Sequence, residues 1–153
     1  MNALTEKVRI LIVDDDKSIT MSLSILLKSE GYQTDVAYTG KEAIEKSCTN
    51  IYDLAILDIR LPDVEGTSLL TSLRETSPKM IKIMLTGYPM LENAVTSLNG
   101  GADAFFIKPV DSPKLLETIK DKIEEQKAAE VATEANIAVF LKSKTEKLLA
   151  ELK

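Results

Sequence analysis

A chain of 153 residues has room for one domain with a full hydrophobic core plus an appended element, and too little for two complete domains. Hydrophobic residues at 44% and charged residues at 28% exclude a disordered or membrane-embedded class. The net charge of -5 and sequence pI of about 4.9 argue against nucleic acid as a partner, because that affinity comes mainly from Lys and Arg neutralising phosphates. The first residues are polar, and no uninterrupted apolar run approaches the roughly 20 residues of a membrane span. A cytoplasmic chain with no membrane partner is expected. One cysteine, Cys48, rules out an intrachain disulfide and reads as a small packing residue. The absence of histidine removes the usual metal ligand and acid–base group. Chemistry is left to carboxylates, lysines and hydroxyls.

In chain order, residues 8–13 form an apolar run broken only by Arg9, as expected of a strand buried on both faces. Ile19, Leu23, Leu26 and Leu27 then recur at helical spacing, and Gly31 supplies a left-handed stop. A second, weaker strand covers 34–38. Thr39 and Glu42, three apart, make a capping-box pattern opening a helix that runs to about Cys48. The third strand is 53–57, and the helix at 66–75 carries Leu69, Leu70 and Leu73 on its packing face. Residues 81–85 read as the fourth strand, 91–98 as the fourth helix and 104–107 as the fifth strand. Phe105 and Phe106 alternate across that last strand, so one of them faces the core. Ser112 and Pro113 read as a cap and a first-turn proline launching the fifth helix.

Five βα units imply a parallel sheet covered by helices on both sides, since each crossover is right-handed and buries its own apolar face. Such sheets bind ligands at the carboxyl ends of their strands. There the sequence places Asp14-Asp15-Asp16, Asp58, Thr86 and Lys108-Pro109. Clustered carboxylates repel and raise one another's pKa, so a cluster that stays charged needs a cation. Mg²⁺ fits a set of carboxylates and waters without His or Cys, and Mn²⁺ is a substitute. Successive residues leaving a strand point in different directions, so Asp14 and Asp15 are expected to be unequal ligands, one direct and one through water. Asp16 reads as a helix cap. A carboxylate beside a cation can attack phosphorus, with a cationic side chain stabilising the transferring group. Asp58 and Lys108 are the candidates.

Val13-Asp14-Asp15, Leu57-Asp58-Ile59-Arg60-Leu61-Pro62 with Gly66 beyond, Met84-Leu85-Thr86-Gly87 and Phe106-Ile107-Lys108-Pro109 closely resemble the receiver domain of two-component response regulators, over roughly 8–125. The resemblance implies a flavodoxin-like, doubly wound (βα)5 fold with a five-stranded parallel sheet. It implies Asp58 as phosphoacceptor and metal ligand, Asp15 as direct Mg²⁺ ligand, Asp14 as the water-mediated one and the Arg60 carbonyl as a further ligand. Thr86 and Lys108 would stabilise the phosphoryl group, Thr86 and Phe105 would form the switch pair, and Lys108-Pro109 would be cis. The partners implied are a sensor histidine kinase or phosphotransfer protein and an unspecified downstream effector. Phe105 departs from the commoner tyrosine, so its inward state is expected to depend on packing alone. Arg60 and Tyr88 occupy the two positions that tend to govern loss of the phosphoryl group. Both are bulky, which predicts a long-lived phosphorylated form.

Residues 126–153 form an extension beyond the receiver at 1–125. From Asp121 onward the chain has no Pro or Gly and is rich in Ala, Glu and Lys, which predicts continuous helix. Ala138, Leu141, Thr145, Leu148 and Leu152 follow a three-four repeat preceded by Val131, with Ile137 and Phe140 beside it. An amphipathic helix and a dimerising coiled coil both fit. No recognisable output domain follows, which suits either a stand-alone receiver or one that ends before its effector. The expected function is a phosphoacceptor switch that is not a turnover enzyme. The alternatives are a phosphorylation-independent interaction or dimerisation module, which the intact acids and Lys108 oppose, and a Mg²⁺-dependent phosphohydrolase, which lacks an evident substrate pocket.

Overall fold

The computed structural model describes residues 8–87 and 99–152. Its elements are β1 (Arg9–Val13), α1 (Lys17–Ser29), β2 (Gln33–Ala37), α2 (Gly40–Thr49), β3 (Leu54–Leu57), α3 (Gly66–Thr76), β4 (Ile81–Thr86), β5 (Ala104–Ile107) and α4 (Ser112–Glu151). The helix expected at 91–98 lies outside the described residues. All strand pairings are parallel, in the order β2-β1-β3-β4-β5. The order reverses between β1 and β3, and the register sets Val13 beside Leu57. The residues that follow these two strands therefore flank the point where doubly wound sheets open a crevice.

Burial explains why the strands read as continuous apolar runs. Leu11, Val13, Ala55, Leu57 and Met84 belong to a core cluster with Ala43 of α2 and Leu69, Leu70 and Leu73 of α3. The alternate residues Ile10, Ile12, Ile56 and Ile83 turn to the opposite face and are equally buried. Leu23 and Leu27 of α1, which packs on β1 and β2, are buried as well. Several such side chains, each stabilising by about 1.5–3 kcal/mol when fully buried, hold the sheet.

The helix ends follow local chemistry. Asp16 caps α1, its carboxylate accepting from the N–H groups of Ser18 and Ile19, and Gly31, at φ 92, closes the same helix in the left-handed region. Thr39 Oγ1 accepts from Glu42 N at 3.0 Å, but the Glu42 carboxylate accepts in return from Tyr38 N, one residue earlier than in a capping box. At α4 the cap is Asp111 rather than Ser112. The Asp111 carboxylate accepts from Lys114 N at 3.2 Å, which draws Ser112 into the first turn. The described residues divide into two compact units between Thr118 and Ile119.

Candidate functional site

The end of β1 gives each of its three acids a different environment. Asp14 is buried, its N–H donates to the Ala37 carbonyl across the sheet, and its Oδ1 accepts from Asp16 N at 2.9 Å. Asp15, next along, is exposed, and Asp16 is committed to the α1 cap. The separation follows from the chain leaving a pleated strand, where consecutive side chains diverge.

Asp58 follows β3, and its N–H donates to the Val13 carbonyl. It is also buried. Lys108, following β5, points its ammonium between the two acids, 2.7 Å from Asp14 Oδ2 and 3.5 Å from Asp58 Oδ2. Burial, then the charge of Asp14, pushes the Asp58 carboxyl above its ordinary value of 3.8, while Lys108 and the N–H groups of Arg60 and Ile59 pull it partly back. Burial by itself would lower the Lys108 ammonium. The hydrogen bond and charge of Asp14, followed by Asp58, outweigh that burial and leave it raised. Lys108 is thus held as a fixed cation.

The loop from Asp58 to α3 is braced from both sides. Arg60 and Glu65 form an isolated antiparallel bridge, and the Gly66 N–H donates to the Ile59 carbonyl. A Cβ on Gly66 would overlap the Asp58 carbonyl oxygen and crowd Ile59, so glycine is required for the backbone to pass. Asp63 reaches back to α2, its two oxygens accepting from Gly40 N at 2.8 Å and Lys41 N at 2.9 Å. Those two bonds hold its carboxyl below the ordinary range. Asp63 was not among the residues singled out from sequence. The available signal was an acid between Pro62 and Gly66, but nothing local shows that its partners lie 22 and 23 positions upstream.

Thr86 ends β4 and is fully buried. Phe105 registers with Met84, placing it on the same sheet face as Thr86. It packs half-buried against the core cluster. The Lys108–Pro109 bond is cis. Tyr88 lies outside the described residues. Arg60 is exposed and lines a cleft of about 420 Å³ together with Asp14, Asp15, Asp16, Asp58, Gly87 and Lys108.

One oxygen of each of Asp14, Asp15 and Asp58 lies within 4.8 Å of the others. Asp58 Oδ1 is buried with no hydrogen-bond partner. A buried carboxylate oxygen left in that condition is costly, and an all-oxygen donor set is what a hard divalent cation takes. The residues present fit such an ion.

A parallel doubly wound sheet with an acidic crevice at its switch point, reached by the Lys108 ammonium from the end of β5, places the chain among the doubly wound α/β proteins. The response regulator receiver domain model matches residues 10–120. The chain belongs to that family and is a receiver domain of two-component signalling. It is 38% identical over 112 residues to the transcriptional regulatory protein DltR of Streptococcus agalactiae, covering 73% of this chain and 50% of that protein. The chain therefore spans about half the length of that curated relative. Among solved structures it is similar to a CheY-like receiver domain protein from Methanospirillum hungatei, with 49% identity, a TM-score of 0.78 and coverage of 80% of this chain and 98% of that one. A response regulator from Burkholderia pseudomallei, solved with a phosphorylated aspartic acid, calcium ion and citrate, matches at 26% identity and a TM-score of 0.72, covering 81% of this chain and 73% of that one. Among the described residues no helix is long and apolar enough to cross a membrane.

Proposed function

We propose that Asp58 is the phosphoacceptor of this receiver and that Asp14, Asp15, Asp58 and the Arg60 carbonyl hold the divalent cation, Mg²⁺ with Mn²⁺ as substitute. The observation that carries the reading is the buried, unpartnered Asp58 Oδ1, set in an acid cluster with Lys108 3.5 Å from the other oxygen. The exposed Asp15 would hold the ion directly, and Asp14, already committed to Lys108 and Asp16 N, would act through water. When bound, the ion withdraws charge from the phosphoryl oxygens and lets Asp58 stay ionised. An Asp58 carboxylate oxygen then attacks the phosphorus of a partner's phosphohistidine. The P–O bond forms as the P–N bond breaks, and the electron pair leaves on the imidazole nitrogen. Lys108 offers its ammonium to an equatorial oxygen, and Thr86 offers a hydroxyl to another.

Thr86 and Phe105 share a sheet face, which supports their coupling. Movement of Thr86 toward the phosphoryl group frees space into which Phe105 packs, altering the surface near β5. The bonded species is a switch whose product is a changed affinity for a downstream effector. A sensor histidine kinase or phosphotransfer protein is the donor. Arg60, lining the cleft, shields the acyl phosphate from water and prolongs its life. The exposed apolar residues of α4 make the tail a dimerising element. The relative solved with a phosphorylated aspartic acid supports the same chemistry here.

Intact mass after incubation with Mg²⁺ and acetyl phosphate tests this reading. One phosphoryl adduct is expected, lost in EDTA and absent in Asp58→Asn, and decaying faster in Arg60→Ala. An undiminished adduct in Asp58→Asn would move the acceptor elsewhere.

A further inference from the structure

The distal part of α4 is a continuous helix whose large apolar side chains are all turned to solvent. Ile137, Val139, Phe140 and Leu149 are exposed on this segment too, and Val131, Leu141, Leu148 and Leu152 are 65%, 57%, 59% and 82% exposed. The latter four fall on one stripe at three-four spacing with Glu134, Ala138 and Thr145 filling the intervening positions, and Ile137 and Leu149 flank it. The stripe runs for about 30 Å along the helix, longer than the scattered apolar residues of an ordinary surface. What covers it has to match its sequence layer by layer.

We infer that the stripe is covered by the same stripe of a second copy running antiparallel, with Val131 opposite Leu148, Glu134 opposite Thr145 and Ala138 opposite Leu141. This rests on the reading of the tail as a dimerising element and adds its orientation and register. Two observations select antiparallel over parallel. A parallel pair sets Glu134 against Glu134 inside the seam, where like charges facing one another are destabilising. The antiparallel register puts Glu134 opposite a hydroxyl, next to Lys144 of the second copy. Volume gives the second observation. A parallel pair stacks Ala138 on Ala138 and leaves a thin layer, whereas the antiparallel one sets each small Ala138 against a large Leu141, filling both layers alike. The charges along the segment agree. Glu130 and Glu134 precede the midpoint, while Lys142, Lys144 and Lys147 outnumber Glu146 and Glu151 after it, so reversal brings a net acidic half toward a net basic one.

The pairing is tested by thiol cross-linking in the full chain, with Cys48 replaced by Ser so that the only thiols are those introduced. A Val131→Cys protein and a differently tagged Leu148→Cys protein are mixed in a glutathione redox buffer after sedimentation has established the oligomeric state of each. The two positions in one copy are about 25 Å apart along the helix axis. A dimer with at least a tenfold excess of mixed disulfide over either like-with-like disulfide is expected. A dimer giving mainly like-with-like disulfides means parallel pairing and overturns the inference while leaving the dimerising tail intact. A dimer with no cross-link overturns the register. A monomer at all accessible concentrations overturns both the inference and the dimerising role. Circular dichroism of each variant, matched to the parent, shows that the exposed substitutions leave the helix in place.

Discussion

Burying Asp58 beside Asp14 confines two negative charges that the Lys108 ammonium bridges. Lys108 sits much nearer Asp14 than Asp58, so Asp58 is the less well satisfied of the pair. Its carboxyl is accordingly raised above 3.8. An acid whose folded pKa exceeds its unfolded value holds its proton more tightly in the fold. Stability therefore falls as pH climbs from 3.8 through the folded pKa, and the full penalty is present at neutrality. Asp58→Asn keeps the shape, removes that charge and leaves the Lys108–Asp14 pair intact. In EDTA at pH 7 the variant is expected to melt several degrees above the parent, with the gap shrinking toward zero as pH is lowered to 3.8. Mg²⁺ should close the gap from the other side by stabilising the parent more. Paired calorimetric melts across pH check this, and an Asp58→Asn protein that melts below the parent in EDTA would show that the Asp58 carboxylate is not under strain. The identity of these acids was legible in the sequence because they end strands. Their inequality was only partly so, since the burial of Asp14 and exposure of Asp15 depend on what the neighbouring strands cover.

At the scale of elements, the loop between β3 and α3 decides whether Asp58 and the Arg60 carbonyl keep their places. It is fastened by the Arg60–Glu65 bridge, by the Gly66 N–H on Ile59, and by Asp63 across to the first turn of α2. Gly66→Ala forces a methyl into the Asp58 backbone, where nothing flexible can yield. Overpacking of this kind costs roughly 1–3 kcal/mol or more, a fall in Tm of at least several degrees for a domain of this size. Mg²⁺ affinity by titration calorimetry should drop as well, because the shifted backbone carries Asp58 and the Arg60 carbonyl, both in the proposed metal site. A variant with the parent's Tm and Mg²⁺ affinity would mean the loop relaxes freely. The strands and most helix bounds were legible because a sheet buried on both faces imposes long apolar runs and its helices show a plain apolar face. The exceptions have local causes. Tyr38 falls outside β2 because pairing with β1 ends at Ala37. Lys82 sits buried within β4 although its charge argues for the surface. Its ammonium donates to the Ser77 and Met80 carbonyls, and burial lowers its pKa with Asp103 partly opposing. Such partners come from a preceding turn whose path no periodicity reports.

At the scale of the whole molecule, α4 joins two regions with different reasons for being helical. Leu115 is buried, as expected of an amphipathic helix in a folded unit. From Ala128 to Leu152 every described residue is exposed, so this part has neither buried apolar surface nor long-range bonds to defend it. An isolated helix of that length is marginal in water unless a partner covers its apolar stripe. Its helicity was legible from composition, while the exposure of its side chains was not, because exposure is a property of the folded chain that helical periodicity does not report. Removal of 126–153 should therefore leave the acetyl phosphate adduct and the Tm of the receiver unchanged at low protein concentration. The helical circular dichroism signal should fall by more than the deleted share if the tail is partnered, and by less if it is frayed. At high concentration only the full chain should show a Tm that rises with concentration, since association that favours the folded state stabilises it by mass action. A truncated protein that melts well below the full chain even when dilute would show that the tail braces the receiver within one copy, which would place its role in folding rather than in assembly.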